Sequence, residues 1–196
     1  MHLPRLVSIV GAGILALALS GCMVMELEVV DETSGRSVTT QTISNDIYGM
    51  ITSAPPGMSP GFCVGGQGRL GRNADNSVSC VEVHEGTFAQ LEAIDKANSF
   101  DVVPMGGGLV RLSFRPRTVS AEMDRQIPGF ARSMVMPMFD GQMMTVRIVG
   151  SELVETNMWP TMDGRGAETN IAFTDIISNS PNIPAELYAV VRVAQP

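Results

Sequence analysis

The chain opens on an apolar run, residues 6–19, and then switches abruptly to alternation. Over residues 23–30 (MVMELEVV), Met23, Met25, Leu27 and Val29 fall on one side and Glu26 and Glu28 on the other. This is the period-two pattern of a half-buried strand. Asp31-Glu32-Thr33-Ser34-Gly35 reads as a turn, and residues 36–43 alternate again with several threonines, so the two runs predict a hairpin. Ser44-Asn45-Asp46 predicts a capped helix reaching about Ile51. Residues 54–61 (APPGMSPG) predict loop. Strands follow over residues 78–85, 100–104, 109–114, 145–149, 153–157, 168–173 and 187–193. Asp163-Gly164 marks a hairpin turn. Residues 86–97 predict a helix, with Phe88, Leu91, Ile94 and Ala97 spaced by threes.

Residues 119–138 carry the strongest helical signal. At 100° per residue, Val119, Met123, Ile127, Phe130, Ala131, Met134 and Met138 lie within about 120° of arc. Glu122, Arg125, Gln126, Arg132 and Ser133 point the other way. Pro128 lacks a backbone donor and predicts a kink or break there. Strands dominate, so the expected class is α+β: a mostly antiparallel β-sheet packed with two or three helices in a single domain.

The first apolar run is too short to span a bilayer as a helix. Arg5 before it and the small residues after it give the three regions of a secretory signal. Leu19-Ser20-Gly21-Cys22 resembles the bacterial lipoprotein signal, which implies lipid attachment at Cys22 and cleavage before it. The division is then a signal peptide over residues 1–21 and a mature lipid-anchored domain over residues 22–196. The hairpin begins directly after Cys22, which places its first strand near the membrane. Met23, in place of Asp, resembles lipoproteins released to the outer membrane in two-membrane bacteria. The expected location is therefore the exported side of a bacterial membrane, the outer one if the host has two.

Loss of Arg5 with the signal leaves 12 basic against 20 acidic residues in 175, a formal charge of −8. That sign repels phosphate polyanions, so no nucleic-acid partner is expected. It equally disfavours broad adhesion to anionic lipids, leaving membrane attachment to the acyl chains. Cys63 and Cys80 then remain as an even pair in an oxidising compartment, which predicts a disulfide. The loop between them, rich in Gly, Asn and Ser, has little to bury.

A family resemblance adds to this reading. The lipidated Cys followed at once by an alternating strand, the charged turn and Thr-rich strand after it, and the later run from Arg147-Ile148-Val149-Gly150-Ser151-Glu152-Leu153 through Asn157, then Met162-Asp163-Gly164-Arg165-Gly166-Ala167-Glu168-Thr169, together look like LppM-like bacterial lipoprotein domains. About a third of the mature chain carries the likeness. It implies an envelope lipoprotein of α+β fold and supplies no catalytic residues. Members often add a C-terminal membrane segment, which this chain lacks, and the Cys63–Cys80 section has no counterpart in the resemblance.

Candidate chemistry is sparse. His84 is the sole histidine after cleavage and reads as an outward-facing strand residue. Without a G-x-S-x-G elbow, a Ser–His–acid hydrolase around it would need an unrecognised constellation. Gly106-Gly107-Gly108 lacks the lysine of a phosphate loop. Asn73, Asp75 and Asn76 fall short of a Ca²⁺ pattern. Fourteen methionines are the compositional oddity. Met134, Met136, Met138, Met143 and Met144 form a run of soft thioethers that suits Cu(I), although methionine is also a common core filler. The sequence thus predicts a noncatalytic envelope lipoprotein, with no cofactor and no metal. It would act as a binding or assembly module for an envelope protein or lipid, in a cleft between the long amphipathic helix and the sheet. A Cu(I)-binding lipoprotein and a hydrolase are the alternatives.

Overall fold

The computed structural model describes residues 22–53, 62–63, 68–94, 99–126, 132–133 and 136–194. The predicted signal, Ile127 to Ala131 including Pro128, and Met134 lie outside them. The chain forms β1 (Met23–Val29), β2 (Ser34–Ile43), α1 (Asn45–Ser53), β3 (Gly68–Arg72), β4 (Val78–Thr87) and α2 (Phe88–Ile94). It continues with β5 (Phe100–Gly106), β6 (Leu109–Phe114), α3 (Pro116–Gln126), a 3-10 turn (Met136–Phe139), β7 (Met143–Val149) and β8 (Glu152–Thr156). The last elements are β9 (Trp159–Pro160), β10 (Gly166–Ala172), α4 (Phe173–Ser178) and β11 (Leu187–Arg192). The α+β expectation holds, with two sheets instead of one and, among the described residues, four α-helices of at least six residues instead of two or three.

The larger sheet has the order β3-β4-β2-β1-β7-β10-β9 and the smaller β5-β6-β11-β8. All pairs are antiparallel except β1 with β7, which is parallel. The first hairpin forms as expected, with Met23 opposite Gln41 and Val29 opposite Gly35. Asp31 fixes its turn by accepting hydrogen bonds from the backbone and hydroxyl groups of Thr33 and Ser34. The Ser34 hydroxyl above all, with the Thr33 amide, holds that carboxyl down at about 2.

Register sorts the side chains by face. On the inner face of the large sheet, Leu27 stands beside Ile148 and Ala167, and Met25 beside Val146. Facing them, the small sheet offers the rows Phe100–Phe114–Leu187 and Val102–Leu112–Ala189. Leu112, Phe114, Val146, Ile148, Ala167 and Ala189 are sealed from solvent within one core cluster. The other face of the large sheet is polar. There Arg147 bonds Glu26 at 3.2 Å and Glu168 at 2.7 Å, a cross-strand ladder over three strands.

Several predicted elements change shape. Of the helix expected over residues 119–138, residues 119–126 are helical within α3, which starts earlier at Pro116, Arg132 and Ser133 are helical, and Met136–Phe139 forms the 3-10 turn. Proline suits a first helical turn because its missing N–H has no partner to lose there. The predicted helix at residues 86–97 gives up Gly86 and Thr87 to β4 and begins at Phe88. Phe173, read as the end of a strand, opens α4.

Cys63 and Cys80 form the predicted disulfide, with Cα atoms 5.4 Å apart. The segment between them is not plain loop: it holds β3, paired with β4 from Gly68–Glu82 to Arg72–Val78. Gly68 lies against the bridge, where a Cβ would come within 2.7 Å of the Cys63 sulfur. The bridge closes a sequence separation of 17 residues. Replacing both cysteines by serine is therefore expected to lower the unfolding free energy by about 3 kcal/mol in urea titration.

Candidate binding cleft

The larger sheet extends past the smaller one on the β2–β4 side, and the uncovered part of its inner face is the floor of a cleft of about 420 Å³. Met23, Met25 and Leu27 of β1 form the apolar half of that floor. Ser37, Thr39 and Gln41 of β2 with Glu82 and His84 of β4 form a polar half. Phe88, Leu91 and Ile94 of α2 make one wall, and Phe100 and Val102 of β5 make the other. The walls follow from local pattern. Helix spacing puts Phe88 and Leu91 on one face, where both are buried, and strand alternation turns Phe100 and Val102 inward while Val103 is 44% exposed.

The cleft occurs where the sequence reading did not put it. The expected wall was the helix of residues 119–138, but α3 packs against α4 instead, and Ser120, fully buried, donates to the Ile176 carbonyl. His84 is not outward-facing: it shares the inner face with Cys80 and Glu82, and it lines the cleft. The parity of β4 holds the signal for this, since Cys80, Glu82 and His84 must share a side and Cys80 is 2% exposed. His84 stands opposite Ser37 across the β2–β4 ladder, yet no hydrogen bond joins them. A nucleophile–base pair needs a contact of about 2.6–3.2 Å.

The methionine run is divided by the fold. Met144 is buried in the core, and its neighbour Met143 points to the opposite face of β7, so the two cannot share one ion. Met136 packs against the core. Met134 and the side chain of Met138 lie outside the described residues. Among the described residues no cluster of three His, Cys, Asp or Glu forms a metal site. Asn73 and Asp75 are occupied in the β3–β4 turn, bonding Ser77 and Ser79. Gly106, Gly107 and Gly108 all have positive φ and make the β5–β6 turn. Cys22 is exposed and takes no part in the disulfide. No described helix is long and apolar enough to cross a membrane.

A second depression of about 660 Å³ lies on the polar face of the large sheet, lined by Glu26, Glu28, Arg147, Arg165 and Glu168. The carboxylates of Glu26 and Glu168 are spent on Arg147, and Glu28 pairs with Arg36 at 3.6 Å. The apolar cleft is thus the better-formed place for a ligand.

No protein-family model matches the chain, and no curated protein matches its sequence. The likeness to LppM-like domains read from the sequence is met at the level of fold. The chain is similar in fold to the folded domain of LppM from Mycobacterium tuberculosis, whose NMR structure matches 91% of this chain and 93% of that domain with a TM-score of 0.50 at 11% identity.

Proposed function

We propose that this chain is a noncatalytic, lipid-anchored protein of the bacterial envelope whose cleft holds an amphipathic lipid. The observation that carries the reading is the cleft between α2, β5 and the open part of the large sheet. Its 420 Å³ falls in the range of small-ligand sites, about 300–1,000 Å³. Eight apolar side chains line it, and each methylene buried there would contribute about 0.8 kcal/mol. Ser37, Thr39, Gln41 and His84 offer hydrogen bonds to a polar end. Glu82 and Glu92 add carboxylates, which favour an uncharged or cationic end over a phosphate. The lipobox at Leu19–Cys22 supports anchoring, and the fold shared with a lipoprotein domain is compatible with it.

The test is direct. The full chain is expressed in a bacterium, extracted in mild detergent and titrated with a fluorescent monoacylglycerol analogue, whose polar end is uncharged, while co-purified lipids are identified by mass spectrometry. Saturable binding at one site per chain, competed by an envelope lipid, is expected. No binding and no retained lipid would overturn the cleft as a lipid site.

A further inference from the structure

We propose that the end of the large sheet bearing Cys22 is the surface that rests on the bilayer, with α1 in the headgroup layer. This deepens the reading above and depends on its lipid anchor at Cys22. The sheet itself supplies the argument. Cys22 is exposed, yet its carbonyl already accepts a hydrogen bond from the Thr42 amide at 3.0 Å, and β1 begins at the next residue. Each residue of spacer would add up to about 3.5 Å of standoff, and here there is none. A lipid on Cys22 therefore holds the folded domain against the membrane instead of on a tether.

Register identifies what shares that end. Met23 pairs with Gln41 and Met144, Ile43 with Val78, and Val78 with Arg72. The β3–β4 turn, the start of β7 and α1, which follows Ile43 after the single residue Ser44, all lie there. Ile51 of α1 is buried against Ile43 and Val78, so the helix caps the sheet end, while Met50 is 63% exposed. Half-buried Tyr48 packs edge-on against Phe62 in the same cluster. An apolar side chain standing out beside a tyrosine suits the interface, where amphipathic groups meet headgroups.

Charge selects the kind of membrane. Asp46, Asp75 and Asp140 are exposed at this end, and its arginine, Arg72, bonds Asn45. A zwitterionic surface fits this balance better than an anionic one. The opposite end of the sheet, by contrast, carries the turn with Met162, fully exposed and roughly 20 Å from Cys22 along seven residues of β1. The cleft runs along β1 from Met23 to Leu27, so one end of it opens beside the bilayer.

The experiment uses the full chain processed in a bacterial host, purified and reconstituted into phosphatidylcholine vesicles containing brominated lipid. Trp159 is the single tryptophan and is replaced by phenylalanine. In that background Met50→Trp and Met162→Trp each place one fluorophore at an exposed site. Emission from the Met50→Trp protein is expected to be at least halved and shifted to the blue, and that from Met162→Trp to be unchanged. Equal quenching at both sites, or quenching at Met162→Trp alone, overturns the orientation. So does an unquenched pair, which would leave this end to a protein partner. Mass spectrometry of the same sample separates the two readings: an unmodified Cys22 defeats the anchor and the orientation with it, whereas a lipidated Cys22 without quenching defeats the orientation only.

Discussion

Phe114→Ala is expected to lower the unfolding free energy by about 3–5 kcal/mol, in the upper range for single core substitutions. Phe114 is 0% exposed, and its ring sits 5.0 Å from that of Phe100, tilted by 48°. It is the middle of the row Phe100–Phe114–Leu187 that the small sheet presents to the large one. Removing the ring deletes its transfer free energy and leaves a void that two hydrogen-bonded sheets cannot collapse to fill. Domains of this size have about 5–15 kcal/mol in total, so the loss is a large share. A melting temperature lower by roughly 10 °C is expected, from about 2–4 °C per kcal/mol. Val103→Ala, on the outer face of the neighbouring strand, should stay within about 0.5 kcal/mol. A Phe114→Ala change as small as that of Val103→Ala would mean the two sheets do not pack as described.

Much of this core was readable from the sequence because it is alternation repeated. Met23–Val29 has acids between its apolar residues, and a sheet with one covered face turns that pattern into two faces without help from afar. The strand expected over residues 109–114 coincides with β6. The parallel pairing of β1 with β7 was not readable, since Met23 meets Met144 across the length of the domain and no local signal encodes that choice. The helix α4 was missed for a different reason. Its N-cap is Ala172, which makes no side-chain cap, so the usual Ser, Thr or Asp marker is absent. Phe173, Ile176 and Ile177 are buried there, and packing supplies what the cap does not. The strand β3, Gly-Arg-Leu-Gly-Arg, has no β-branched residue. It forms because β4 offers a ladder and the disulfide holds its start.

The site was less legible than the fold. Polar residues on an alternating strand are ordinarily taken as solvent-facing, as the sequence reading takes His84, and Ser37, Thr39, Gln41 and Glu82 line the same cleft. Their face is the inner one, left uncovered because the partner sheet is narrower by three strands. That mismatch is a property of the assembled sheets and of no one segment. The cysteines were legible because chemistry constrains them more than packing does: an even pair in a chain expected to be exported has few alternatives. The methionines leave packing and Cu(I) both open in the sequence for the opposite reason, since a one-dimensional cluster says nothing about which face each thioether takes.

Two adjacent residues on β5 turn the cleft into a quantitative claim. Val102 lines it and Val103 faces away, because successive strand residues point to opposite sides. Val102→Asp places a carboxylate against the apolar body of a bound lipid, where it loses water and gains no cation. An unpaired charge in such a site costs several kcal/mol, and about 1.4 kcal/mol corresponds to tenfold in affinity. Binding of the fluorescent monoacylglycerol analogue is therefore expected to weaken by about 100-fold or more. Val103→Asp adds the same charge to the same strand and should leave binding unchanged. Both positions lie on an edge strand, Val102 half-buried against the core and Val103 exposed, so circular dichroism and the melting temperature establish that each variant is folded before binding is compared. Equal losses from the two variants would attribute the effect to net charge or to a loosened β5. Retained binding in Val102→Asp would place the lipid elsewhere on the molecule. Only a large loss confined to Val102→Asp locates the ligand between α2, β5 and the exposed floor of the large sheet.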